Sequence, residues 1–255
     1  MEVSSLVIHK GDLKKIIYVI DKIFDDKVYI SGLNYRIRRI VKIEDLEEAT
    51  LEQIQNENKI TEDYFLSISN INHRNNKSYL LGRILHIDGD QKYLNKCLEL
   101  YKEIGVYANG VEIEEKSMPA EVQKLLLSLN PDIIVITGHD VYNKKGVKDL
   151  ENYTNTSYYI ETVKKARQIK GRSDLVIIAG ACQSNFEALI ASGADFASSP
   201  KRINIHTFDP AVIAIKVAST SLSKIVNLSE ALRYIDNGQD AFGGLETYGK
   251  MRLFV

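Results

Sequence analysis

The rhythm of hydrophobic and polar positions changes twice along the chain. In the first fifty residues, short β-rich runs at 16–20, 28–30 and 35–43 are separated by Asp/Lys and Ser-Gly turn signals. Within "YRIRRIVKI", residues 35, 37, 40 and 43 are apolar with basic residues between them, the pattern of a strand with one solvated face. This spacing predicts a small antiparallel β module over 1–50, an SH3-like barrel or curled sheet. Arg36, Arg38 and Arg39 are expected on its solvated face, where they also make a candidate docking patch. Residues 51–78 are polar: the first half suits a helix, and "NHRNNKS" with His73 reads as a solvated linker.

From 79 to 255 strands alternate with helices. "YLLGRILHI" reads as one strand ending on the acidic turn "DGD", and 91–104 as a helix with an apolar stripe at Leu94, Cys97, Leu98 and Tyr101. "GVYANGVEI" reads as a short strand or a hairpin about Asn109-Gly110. Helices are predicted at 119–130 from Pro119, at 157–171 to Gly171, and at 184–193 between Ser184 and Gly193. A further helix, 209–220, has Asp209 as N-cap and Pro210 behind it. Strands are predicted at 131–137, 173–180, 194–199 and 203–208. Runs such as "IIVI" are apolar throughout, which implies burial on both faces and hence a mostly parallel sheet flanked by helices. The fold class is therefore α/β. In open sheets of this kind ligands bind where strands exit at their carboxyl ends, here "DGD", "GHD", "GACQS" and "SSPKR".

Composition narrows the function classes. A formal net charge of −1 over 255 residues gives no basic excess for nucleic acid or an anionic membrane. The N-terminus has no apolar core of signal-peptide type, and the longest apolar runs fall far short of the ~20 residues of a membrane span. An intracellular chain is expected. Two cysteines make no disulfide framework, and no histidine is near either in sequence, so no metal site is expected; the cysteine chemistry considered next requires no cofactor.

Cys97 on its helical stripe reads as a packed core residue. Cys182 lies just past a buried strand and just before a helix, where the helix dipole and backbone N–H groups favour thiolate. Alone it would read as a small buried cysteine. His139 alters that, because "DIIVITGHD" repeats the layout of "DLVIIAGAC". If the two strands are parallel neighbours, their exits lie ~5 Å apart. Thiol and imidazole would then face one cleft, the imidazole taking the thiol proton and returning it to a leaving amine. His86 and His206 read as structural, with His206 able to approach the same cleft.

With "LHIDGD", "ITGHD", "AGACQSNFEA" and "ASSPKRINIH", the layout resembles the clan of cysteine peptidases that holds caspases, legumain, gingipain and clostripain. Within it the chain resembles, over nearly its full length, the YabG family of sporulation-specific peptidases of spore-forming Firmicutes. That resemblance implies a caspase-like domain and a mother-cell protease, cytoplasmic or in the spore coat. Its partners would be spore coat and cortex-associated proteins, cut after arginine. His139 would be the general base and acid, and Cys182 the nucleophile. In the wider clan a glycine follows the histidine; here Gly138 precedes it and Asp140 follows, so the oxyanion donors are expected from the backbone of Cys182 and Gly138. Recognition of arginine needs a carboxylate, for which Asp88, Asp90 and Asp140 are candidates, Asp140 alternatively holding the imidazole. Two other readings stand beside this one: a coat-assembly scaffold without catalysis, and a TIM barrel ending in "SGAD" with a phosphate site.

Overall fold

The alternation in the first fifty residues becomes five short strands: β1 Leu6–His9, β2 Ile17–Phe24, β3 Lys27–Gly32, β4 Arg38–Lys42 and β5 Leu46–Glu48. In the computed structural model, which describes residues 1–69 and 79–254, they form one antiparallel sheet in the order β4–β3–β2–β1–β5. A register shift between Ile20 and Lys22 bulges β2 and adds twist. Helix α1, Leu51–Ser69, opens with a reciprocal cap: Gln53 N–H donates to Thr50 Oγ1 and Thr50 N–H to Gln53 Oε1. Asn34 Nδ2 donates to Glu57 Oε1 and Thr61 Oγ1, fastening the helix to a strand connection. The basic patch is not assembled as expected. Arg36 is 1% exposed, while Arg39 pairs with Asp12 at 2.6 Å over the Tyr18 ring. The expected linker "NHRNNKS", with His73, lies outside the described residues. By its contacts the chain divides into two compact units, Met1–Leu66 and Ser67–Val255.

The second unit carries, in order, β6 Tyr79–Leu80, β7 Ile84–Asp88, α2 Gln91–Ile104, β8 Ala108–Glu112, α3 Met118–Leu129, β9 Ile133–Thr137 and α4 Thr156–Ile169. Then follow β10 Val176–Ala179, α5 Phe186–Ser192, β11 Phe196–Ser198, α6 Asp209–Ser219, α7 Leu228–Ala231, α8 Gly238–Ala241, β12 Phe242–Gly244 and β13 Arg252–Leu253. The main sheet runs β8–β7–β9–β10–β11–β12, parallel except for β12, while β13 and β6 pair separately. Every residue of β7, β9 and β10 is buried, as their unbroken apolar runs require. Alternate side chains, Leu85 and Ile87, Ile134 and Ile136, Ile177 and Ala179, meet Met118, Val122, Tyr159, Val163 and Leu189 from α3, α4 and α5. Helices α2 and α6 cover the opposite face. No helix among the described residues is long and apolar enough to cross a membrane.

Several local expectations are corrected. "YLLGRILHI" is broken: Gly82 N–H turns to Ala218 O, and a Cβ on Gly82 would lie 2.6 Å from that of Lys250. No hairpin forms at Asn109-Gly110; β8 runs straight through it parallel to β7, and Gly110 makes room for Leu98, whose Cδ1 would be 2.6 Å from a Cβ there. Residues 203–208 are not a ladder strand. Ile203 O accepts the Gln183 N–H, Ile205 N–H turns to Cys182 Sγ, and His206 N–H turns to Asp209 Oδ2. Helix α5 is capped by Asn185, which accepts from Ala188 N–H, rather than by Ser184; Phe208, which makes no side-chain cap bond, stands at the N-cap position of α6 in place of Asp209; and α4 ends on extended Lys170 rather than on Gly171. An open sheet in this order is not a closed eight-stranded barrel, which removes the TIM-barrel reading.

The strand order matters most. The chain steps from β7 to β8 on one side, then returns past β7 to place β9 on the other. The exits of β7 and β9 therefore flank the topological switch point, where doubly wound sheets bind ligands.

Candidate active site

Parallel pairing brings the two expected reactive residues to one edge. Strand β10 pairs β9 with Ala179 opposite Ile136, and Gly180 N–H extends the ladder to Ile136 O at 3.0 Å. His139 and Cys182 each stand three residues beyond that paired position. On the other side of β9, Asp88 of β7 pairs with Thr137, so "DGD" leaves the sheet beside "GHD".

His139 is held at one ring nitrogen and at both of its backbone polar groups. Its ring Nε2 lies 2.9 Å from Asp90 Oδ2. Asp90 is itself fixed, because Oδ1 accepts the Lys92 N–H as N-cap of α2 and its own N–H donates to Asp88 Oδ1. The Tyr93 ring stands edge-on to the imidazole, with centroids 5.8 Å apart. The backbone N–H of His139 donates to Glu115 Oε1 at 2.7 Å, and its carbonyl accepts from Asn155 Nδ2 at 2.8 Å and Tyr159 Oη at 2.9 Å.

Cys182 follows a tight turn. Gly180 has φ 104°, and a Cβ there would lie 2.5 Å from Ser198 Oγ, so glycine is required twice over. Ala181 is fixed through its N–H to Ser184 Oγ and its carbonyl from Ser198 Oγ. The thiol is 2% exposed, and Sγ accepts the Ile205 N–H at 3.3 Å. The next residue, Gln183, has φ 59°; its side chain accepts from Tyr142 N–H and donates to Asn204, bridging the loops after β9 and β11. Ser199 and Arg202 also have positive φ, at 60° and 52°. Backbone strain of this kind, of order 1–3 kcal/mol per residue, collects at functional edges.

The three acids expected to receive arginine are enclosed and otherwise engaged. Asp140 accepts from Val141 N–H at 2.9 Å, Asn155 N–H at 2.8 Å, Ser184 Oγ at 2.8 Å and Thr156 Oγ1. It ties the histidine loop to the cysteine loop, and the imidazole partner is Asp90 instead. Burial pushes the Asp140 carboxyl above its ordinary range, and its hydrogen bonds pull it back in part. Asp88 is buried in the sheet, with Oδ2 3.6 Å from His86 Nε2, and His86 Nδ1 meets Tyr101 Oη at 2.9 Å. Asp90 is committed to His139. Of the other candidates, Cys97 is buried on α2 and donates to Thr207 O, and His206 is one residue beyond the Ile205 amide that meets Cys182.

Residue patterns gave no sign of Glu115, Asn155 or Tyr159. Glu115 is one of three glutamates in "VEIEEK", and nothing local separates it from Glu112 or Glu114.

Residues 2–255 match the family model described as YabG peptidase U57. The chain is also similar to the sporulation-specific protease YabG of Bacillus subtilis (strain 168), 39% identical over 98% of this chain and 87% of that protein. Both matches run through the N-terminal sheet as well as the α/β unit that holds His139 and Cys182. The chain therefore belongs to the YabG family of sporulation-specific peptidases.

Proposed function

We propose that this peptidase is a cysteine endopeptidase with Cys182 as nucleophile and His139 as general base and acid. Asp90 orients the imidazole. The observation that carries this reading is the common edge: neighbouring parallel strands deliver Cys and His from equivalent positions, and the ring of that His is paired with a carboxylate from a third strand exit. Nucleophile, base and orienting acid are the three parts such catalysis needs.

The steps follow from the atoms. His139 Nε2–H donates to Asp90, which leaves the Nδ1 lone pair to take the thiol proton. The N–H of Ile205 at the sulfur is a donor that thiolate accepts more strongly than thiol. The thiolate attacks the scissile carbonyl carbon, forming the S–C bond and an oxyanion. Donors for that oxyanion are the N–H of Cys182 and of Gly138. As the C–N bond breaks, the amine leaves with the proton from His139. Water, deprotonated by the same imidazole, then cleaves the thioester and frees the thiol.

The substrates are spore coat and cortex-associated proteins in the sporulating mother cell, cut after arginine, as the family resemblance implies. With Asp88, Asp90 and Asp140 enclosed, the carboxylate that meets the guanidinium is an acid other than these three. Cys182→Ala and His139→Ala are each expected to abolish cleavage of an arginine-containing coat-protein fragment, followed by mass spectrometry of the products. Wild-type cleavage by either variant refutes the mechanism. Retained binding with no cleavage even by the parent protein would favour a scaffold.

A further inference from the structure

We infer that Glu115 is a positioning residue of this site: its carboxylate locks together the two strand exits on which His139 and Asp90 stand. This rests on the Cys–His reading above. Glu115 begins the turn Glu115–Ser117 that leads into α3, and the fold returns it to the switch point, where β7 and β9 leave the sheet side by side. It is 8% exposed, and Oε1 accepts the His139 N–H at 2.7 Å.

Two glycines keep the slot for that carboxylate open. A Cβ on Gly89, in the β7 exit, would lie 2.2 Å from Glu115 Oε1; a Cβ on Gly138, in the β9 exit, would lie 2.3 Å from the same atom. The side chain therefore sits between the exits and touches both. A charged acceptor makes a hydrogen bond to an amide roughly twice as strong as a neutral one. With the carbonyl of His139 held by Asn155 and Tyr159 and its ring by Asp90, Glu115 fixes the remaining backbone group. It also occupies the His139 N–H, so that amide is not a donor for the oxyanion. Misplacing a reacting group by about 1 Å can cost on the order of 100-fold in turnover. That is the loss expected when the clamp is removed.

The test compares Glu115→Ala, Glu115→Gln, Gly89→Ala and the Gly89→Ala/Glu115→Ala double variant of the full chain. Steady-state kinetics would use a fluorogenic peptide with arginine before the scissile bond. Glu115→Ala should lose about 10- to 100-fold in kcat, with KM within about twofold. Glu115→Gln retains the Oε1 acceptor and should stay within about threefold of the parent. Gly89→Ala should be slowed because its methyl displaces the carboxylate, and the double variant should be no slower than Glu115→Ala, since the truncated side chain vacates that space. A Glu115→Ala protein with parental kcat overturns the inference, as does strict additivity in the double variant. If Glu115→Ala does not fold, thermal unfolding will reveal it, and the glutamine and Gly89 variants then decide: parental kcat for Gly89→Ala overturns the role. Cys182→Ala and His139→Ala run alongside. Cleavage by either sinks the underlying dyad, whereas two inactive controls beside a fully active Glu115→Ala sink the clamp alone.

Discussion

Asp140 offers the sharpest test of how the two reactive loops are held. Replacing it by asparagine keeps an oxygen for the N–H groups of Val141 and Asn155 but turns an NH2 toward the hydroxyls of Thr156 and Ser184. Each hydroxyl oxygen already accepts one backbone N–H, from Asn185 and Ala181 respectively, and can accept one more. Their own hydrogens lose the acceptor they had. A buried donor left unmatched costs about 1–3 kcal/mol, so two such donors set an expected loss of at least about 2 kcal/mol. For a chain of this size that is a fall in Tm of roughly 4–8 °C. The pH dependence separates charge from hydrogen bonding. Burial raises the Asp140 carboxyl above the ordinary value of 3.8, so the folded state holds this proton more tightly than the unfolded chain. Its contribution is therefore fully present below the unfolded value and is lost as pH rises through the folded one. The stability gap between parent and Asp140→Asn should be widest in acid, narrow through that window and then level off. Urea unfolding at a series of pH values measures it. A gap that widens as pH rises would refute the account, as would an asparagine variant as stable as the parent at every pH.

Other expectations follow from the same geometry. Asp90→Asn should fold normally but lose about 100-fold or more in kcat, because an amide can hold the imidazole in the wrong tautomer; parental kcat would contradict its role. Gly180→Ala adds a methyl at φ 104° and 2.5 Å from Ser198 Oγ, and should cost more than about 1–3 kcal/mol in chemical denaturation. Ile136→Ala, in the fully buried β9, should cost about 2–5 kcal/mol by the same assay. By contrast, Lys165→Ala breaks only the exposed helical pair with Glu161, and a change above about 1 kcal/mol would show that this surface contact is misjudged.

Legibility followed range. Helix α2 was readable over 91–104 because its apolar stripe is local, and the structure adds the Asp90 cap and the Gly105 stop at its ends. The buried strands β9 and β10 announced themselves by unbroken apolar runs. The segment 203–208 misled because its alternation is that of a strand, while its backbone donors and acceptors serve the cysteine turn and the start of α6. Arg36 misled for a related reason: alternation assigned it to water, and the packed structure buries it.

Periodicity and residue type along the chain by themselves determined the α/β class, most of the large elements and the two loops that carry His139 and Cys182. Those features depend on interactions within a few residues, which a linear pattern records. Tertiary structure alone decided that Asp90 rather than Asp140 meets the imidazole, and that Glu115 takes the His139 amide. Both acids reach His139 only because β8 turns to one side of β7 and β9 to the other. Strand order is set by how helices pack across the whole sheet, and no local window of residues contains it.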